Sequence, residues 1–537
     1  MTDNLRNVAL VGHSGSGKTS LAEAILFVSG KLNRMGRVQE GSTVGDYDPE
    51  EVERQISLRT SLLTTEWDGA HFNLLDSPGY ADFASEVKSA LRVSDVCLVV
   101  VEAVSGVDVG TERSWRYAEE SGLPRLIFIN KMDRPDIDLE QILQQIKDRF
   151  GRQAVPLQHP VEYGEGFSQL LDAIHMKLVT YKDGTSEESD LGEHESTAQQ
   201  LHEQLVEAVA ETDEELMEKY FSEGDLSEQE LAKGMKKAVL RGELFPVIFG
   251  DAFNAVGIDA VLNAIVGYFP SPAESPGLEQ ELTGASDAPL AAFVFKTIAE
   301  QHVGELNFVR LYSGGFKPGD EVVNSSRKAN ERVGQIFELN GHERSELESA
   351  VAGDIVALVK LKNTRTGDTL CRKSKEIRLT GVEFPDPLIR VAISPEEKGS
   401  EERMATGLAQ LRQEDPSFIF RYDNEIHQSL LHAQGDLHLE TILKRLRERY
   451  GVCVVAEPPR IPYRETIRGN SEGHFRHKKQ TGGRGQFGEV FLRISPKSRG
   501  EGFEFINSVV GGNIPSNFIP AVEKGLQETM VEGPLSS

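Results

Sequence analysis

Short apolar runs punctuate the first part of the chain. NVALVGH, FNLLDSPG, VCLVVVEA and RLIFINK are nearly continuous in Val, Ile, Leu and Phe, and amphipathic stretches separate them. Runs without polar alternation predict strands buried on both faces, and such strands belong in parallel sheets covered by helices. The first 135 residues therefore predict a doubly wound α/β unit, with FPVIFGDAF (residues 245–253) as the last strand of its sheet. The residues between differ in character: QQLHEQLVEAVAETDEELMEKYF (199–221) places its apolar positions at helical spacing.

Residues 270–289, PSPAESPGLEQELTGASDAP, are rich in Pro, Ser and Gly and predict a linker. Short alternating runs follow (AAFVFKT, FVRLYSGG, KPGDEVV, GDIVALV), the pattern of an all-β barrel. PLIRVAISP, EERMATGLAQLRQED, SFIFRYD and HLETILKRLRERY then alternate strand and helix, as a compact α+β unit does. The expected division is a nucleotide-type domain over 1–275 with an insertion at about 155–243, a β-barrel over 285–380, an α+β domain over 384–458, and a further partial α+β domain over 460–537.

Composition narrows this picture. The 537 residues exceed what one core holds, and 39% hydrophobic with 27% charged residues excludes a collagen-like or wholly disordered chain. The net charge of -27 argues against a protein that coats nucleic acid over its whole surface. The charge is uneven. Residues 183–230 hold 17 acids against Lys219 alone, whereas residues 460–499 hold 10 Lys and Arg against Glu465, Glu472 and Glu489. The acidic stretch reads first as a solvated helical face and, more sharply, as a docking surface for a basic partner. Cys97, Cys371 and Cys453 lie far apart, so a disulfide framework and a zinc site are unexpected and a reducing, cytoplasmic compartment fits. With no apolar leader and no run of 18 apolar residues, no membrane association is expected.

Candidate chemistry lies at the ends of the apolar runs. GHSGSGKT (Gly12, His13, Ser14, Gly15, Ser16, Gly17, Lys18, Thr19) fits GxxxxGK[ST] between a strand and a helix, with Ser20 continuing into that helix. Glycines there let backbone N–H groups approach phosphates, and the helix start adds positive potential. Lys18 would bridge β- and γ-phosphates and the Thr19 hydroxyl would hold Mg²⁺. DSPG follows the next run: Asp76 would hold Mg²⁺ through water and the Gly79 N–H would sense the γ-phosphate, with Ser77 and Pro78 between them counted in the nucleotide-binding set. In NKMD, the Asp133 carboxylate accepts from the N1–H and 2-amino group of guanine, a donor pair adenine lacks. Asn130 would touch the base edge and brace the phosphate loop, and the Lys131 stem would lie over the ring. GDA (Gly250, Asp251, Ala252) would offer the Ala252 N–H to the guanine oxygen. Each motif alone is common in surface turns; in this order they point to GTP and GDP as ligands. An ATP-dependent kinase or transporter ATPase is disfavoured by Asp133.

With these residues in place, the chain resembles the translational GTPases, and most closely elongation factor G. The likeness extends through AVAETDEELMEKYF (208–221), LYSGGFKPGD (311–320), QGDLHLE (434–440), PRIPYRET, GGRGQFGEV and FEFINSVVGGNIP. It implies a multidomain α/β protein: a P-loop GTPase domain with an inserted subdomain, a β-barrel, a ferredoxin-like domain and part of the tip domain. It also implies a monomer that works on the ribosome, meets rRNA and the stalk protein of the large subunit, and drives tRNA and mRNA through the decoding region with its tip. The basic stretch is consistent with RNA contact there. By the same likeness the sequence ends inside the tip domain.

Three positions depart from the family pattern. Gly15 stands where an Asp helps hold a monovalent cation. In the first switch RQIS replaces RGIT, and Ser57 keeps a hydroxyl for Mg²⁺. Tyr80 stands where the family's His positions the attacking water. A phenol with a pKa of about 10 is a poor base at neutral pH and carries no imidazolium charge. Phosphoryl transfer depends chiefly on positioning, so Tyr80 could still orient water and, with Lys18 and Gly79, complete the expected catalytic set. The departures match the divergent elongation factor G-like branch. Two functions follow as expectations: a ribosome-dependent GTPase promoting translocation, or a GTP-switched factor that protects, recycles or idles ribosomes and hydrolyses poorly. The histidines show no metal spacing, and His438 reads as a packing residue at a helix start.

Overall fold

The computed structural model describes residues 2–275, 282, 287–300, 304–480, 482–483, 485–531 and 533. Much of the expected linker at 270–289 lies outside the described residues. The chain divides into two compact units, one of residues 1–389, 397–419 and 432–453, the other of 390–396, 420–431 and 454–537.

The first unit is built on a seven-stranded sheet. Its strands are β1 (Leu5–Gly12), β2 (Ser61–Trp67), β3 (Ala70–Asp76), β4 (Val96–Glu102), β5 (Arg125–Asn130), β6 (Ala154–Pro156) and β7 (Phe245–Phe249), in the order β2-β3-β1-β4-β5-β7-β6. The apolar runs form parallel strands, as their continuity predicts. The strand not anticipated, β2, pairs antiparallel with β3. FPVIFGDAF joins the sheet, but β6 lies outside it at the edge. Alternate residues of β1 feed opposite cores. Val8 and Leu10 meet Leu21, Ile25 and Leu262, whereas Ala9 and Val11 share a cluster with Val99, Ile127 and Trp115, each side shielding the sheet from water.

The insertion folds as a four-stranded sheet and three helices, Glu195–Ala210, Glu214–Glu223 and Glu228–Arg241. Leu201, Leu205, Val206 and Val209 bury one stripe of the first helix, while the Glu214–Glu223 helix buries none of its residues. Lys219, the lone base of the acidic stretch, is used internally at 2.6 Å from Glu230.

Eight antiparallel strands between Ala291 and Cys371 form the next sheet, with a bulge between Val294 and Lys296. Buried polar groups lock it to the first sheet. Arg310 donates to both oxygens of Asp95 at 3.0 Å and to the Val93 carbonyl at 2.9 Å, and Asn7 joins Asp95 at 2.8 Å. At the other end of the interface the Thr64 N–H donates to Asn340 Oδ1 at 3.3 Å, and the Gly341 N–H donates to the Leu62 carbonyl at 2.9 Å. These two hydrogen bonds fall on β2, one of the two edge strands of the sheet. The helix Glu401–Glu414 and the helix Asp436–Tyr450 complete the first unit.

The second unit contains a four-stranded sheet with Ala392, Ile426 and Leu430 in its core. It also holds the hairpin Ser471–Lys479 and Gln486–Ile494 and the helix Ile519–Thr529. On the hairpin His474 stacks on Phe491 at 4.1 Å and Arg476 lies over Phe487, so the basic stretch places an imidazole and a guanidinium beside aromatic rings. Among the described residues no helix is long and apolar enough to cross a membrane.

Candidate functional site

Four loops converge at the carboxyl ends of neighbouring parallel strands, the place where open α/β sheets bind ligands. The register explains the convergence: Leu10 pairs with Asp76, Gly12 with Val100, Glu102 with Asn130, and Ile129 with Phe249. GHSGSGKT, DSPG, NKMD and GDA therefore leave the sheet side by side.

The first loop must pass between β1 and α1 (Lys18–Val28) in a conformation that side chains resist. Gly12 has φ 144 and Gly17 has φ 95, and a Cβ on Gly12 would collide with the Val100 carbonyl. Gly17 begins α1 without any side-chain cap, so its first amides are left for another acceptor. Gly15 is exposed, and a Cβ there would meet nothing within 4 Å. His13 packs beneath Gly110, and Ser16 is buried, whereas Ser20 continues into the helix.

Lys18 is buried and donates to the carbonyls of His13 (2.8 Å) and Gly12 (3.2 Å). Burial pushes its ammonium down to about 8, with Asp76 and Asp46 opposing that shift. Gly79 lies over it: a Cβ there would sit 2.6 Å from Lys18 Nζ and 2.5 Å from the Ser14 nitrogen. Ser77 fixes the turn by donating from Oγ to the Leu10 carbonyl at 2.5 Å, and Pro78 is buried behind it. Tyr80, the next residue, is 39% exposed.

The Thr19 and Ser57 hydroxyls lie 3.2 Å apart. Beside them, burial pushes Asp76 up to about 6, and burial with the Asp76 charge pushes Asp46 up to about 7. Among the described residues neither carboxylate has a partner at hydrogen-bonding geometry. Two hydroxyls and two buried carboxylates form an all-oxygen set beside an ammonium, and this set fits a hard divalent cation such as Mg²⁺. The residues present thus suit the cation and the phosphates together.

Three acids here were not anticipated from the sequence. Besides Asp46, Glu23 on α1 accepts from the N–H groups of Gly36 (3.0 Å) and Val44 (2.6 Å), and Glu51 accepts from Leu58 (2.9 Å) and Arg59 (3.0 Å). They hold the segment that carries Ser57. The sequence signal was thin: GDYDPEEVER is rich in acids, and Asp48 in the same stretch instead caps the short helix α2 (Pro49–Arg54) and pairs with Arg59 at 3.8 Å.

The side formed by NKMD and GDA is braced by Asn130. Its Nδ2 donates to the Ser16 carbonyl at 2.8 Å, and its Oδ1 accepts from the Ala252 N–H at 2.9 Å. The bracing of the phosphate loop is as expected, but the Ala252 N–H is donated to Asn130 rather than left for a base oxygen. Lys131, at φ 65, is held by Glu102 at 2.8 Å. Asp133 is half-buried, near enough to Asp251 to help burial raise the Asp251 carboxyl. Asp251 is fully buried and accepts from the Phe253 N–H at 2.9 Å, so it shapes the loop. A Cβ on Gly250 would strike the Phe128 ring.

Known families match along the whole chain. The Elongation factor Tu GTP binding domain matches residues 3–271, Elongation factor G domain 2 matches 289–373, Elongation Factor G domain III matches 384–458, and Elongation factor G domain IV matches 459–537. Among solved structures, a crystal structure from Thermus thermophilus is 36% identical, with a TM-score of 0.87 over 99% of this chain and 78% of that one.

Proposed function

This chain belongs to the elongation factor G-like translational GTPases, and on that premise we propose that it hydrolyses GTP, with Mg²⁺, on the ribosome to promote movement of tRNA and mRNA. The observation that carries the reading is the pairing of Thr19 and Ser57 hydroxyls at 3.2 Å beside the buried Asp76 carboxylate and Lys18. Thr19 and Ser57 would hold the cation directly, Asp76 and Asp46 through water. The cation supplies charge neutralisation on the phosphates.

This chain's own residues do the rest. Lys18 exchanges its carbonyl partners for phosphate oxygens, the uncapped first turn of α1 donates its amides, and Gly79 presents its N–H beside Lys18. Asp133 reads guanine while Asn130 holds the two flanking loops together. Tyr80 orients water with its hydroxyl. The acidic insertion suits the basic face of a stalk protein, and the cation-and-aromatic hairpin suits rRNA, tRNA or mRNA. Free buried Cys97 and Cys371 suit the cytoplasm, and the protein acts as a monomer.

The test is multiple-turnover GTP hydrolysis with and without 70S ribosomes. Stimulation is expected, and its absence removes the proposal. Tyr80 motivates a second reading, a GTP-switched factor that protects, recycles or idles ribosomes with weak hydrolysis.

A further inference from the structure

The helix α3 (Asp436–Tyr450) begins without a cap of its own. Its flanking residue is Gly435, which has no side chain to offer, and no local side chain accepts from its first turn. The acceptor comes from 355 residues away. Asp82 Oδ2 accepts from the Leu437 N–H at 2.9 Å and the His438 N–H at 3.2 Å. Gly435 is needed there for space, since its φ of -174 suits any residue. A Cβ would sit 2.5 Å from the Asp82 Cγ and 2.6 Å from its Oδ1.

Asp82 stands three residues after Gly79, in the turn Ala81–Phe83, so the loop that lies on Lys18 also holds this helix. Phe83 packs on the His438 ring with centroids 6.0 Å apart. One and two turns along, the same helix meets the segment that carries Ser57. Lys444 pairs with Glu53 at 2.8 Å and Glu440 with Arg54 at 3.3 Å, and residues 440 and 444 share one helix face. A single helix therefore joins both segments that contact the phosphate and cation positions.

We infer that Asp82 is a positioning residue: it lends α3 its N-terminal cap, and through that cap the occupancy of the γ-phosphate position is coupled to the helix. The inference rests on the GTP reading above. Coupling is reciprocal, so a cap favoured by the triphosphate must in turn favour the triphosphate. Losing a cap of ordinary strength corresponds to about a fivefold change.

The experiment uses the full chain and measures affinity for a non-hydrolysable GTP analogue and for GDP by fluorescence titration. Asp82→Ala is expected to lower the analogue-to-GDP affinity ratio by about fivefold, while Asp82→Asn, which still caps, stays within about twofold of wild type. Gly435→Ala, which drives a methyl into the carboxylate, is expected to act in the same direction as Asp82→Ala, and the two together are expected to be less than additive. Should Asp82→Ala not fold, Gly435→Ala carries the test. An unmoved ratio in the alanine variants, or equal damage from Asp82→Asn, overturns the inference alone. Wild-type protein with no affinity for either nucleotide overturns the site reading and this inference with it.

Discussion

Tyr80 is the residue on which, in the proposed reading, the rate of the chemistry would turn. It is exposed, directly follows Gly79, and offers a hydroxyl where the sequence resemblance leads one to expect an imidazole. If orienting water suffices, Tyr80→His changes ribosome-stimulated turnover by no more than a few-fold. A gain approaching ~10²-fold, the scale of a general acid–base group, transfers weight to the weakly hydrolysing reading. Asp133 would govern a separate property, the choice of base. Asp133→Asn removes the charge that, in the proposed reading, would draw two guanine donors, and replaces one acceptor with a donor. GTP affinity is expected to fall by roughly 10–100-fold, with the melting temperature unchanged, when followed by fluorescent nucleotide titration. At this scale the sequence was legible where a residue's chemistry depends on its neighbours in the chain. Lys18, Thr19, Asp76 and Gly79 meet as their spacing implies, because each follows a strand of known direction. Asp46, Glu23 and Glu51 were not legible. Their role is set by how residues 36–57 fold back on α1, whereas the carboxylate of Asp48 in the same stretch caps a helix start and faces Arg59.

Elements were readable to the extent that burial was uniform. The four parallel runs are apolar throughout because both faces are covered, and they stand out for that reason. The strand β2 escaped because TSLLTTEW mixes Thr with Leu, as an edge strand does. Gln428–Ala433 and Val454–Glu457, short and part-exposed, escaped for the same reason. The helix α1 makes a prediction of its own. Beginning at Gly17 without a side-chain cap, it presents its first amides to any anion bound there. Saturation with GDP, at 100 times its dissociation constant, is therefore expected to stabilise the chain by about 2.7 kcal/mol in thermal or chemical unfolding. Chelating Mg²⁺ is expected to reduce that gain.

At the scale of the molecule, what joins the modules is invisible in the sequence. Arg310 and Asp95 are 215 residues apart and carry no motif, yet both are almost wholly buried and meet through two hydrogen bonds. Arg310→Met leaves the Asp95 carboxyl buried without its guanidinium, with Asn7 still donating to it. A loss of roughly 3–5 kcal/mol is expected in chemical denaturation, and the double variant Arg310→Met with Asp95→Leu is expected to recover much of it. The contact of Asn340 and Gly341 with β2 has a different consequence. A strand at the rim of a sheet exposes a row of hydrogen-bonding groups that can recruit a second chain. Here the hairpin of the following module occupies part of that row. The nucleotide module cut free before residue 289 would bare the rim and become adhesive toward its own copies, so the neighbouring module serves as a guard against clumping.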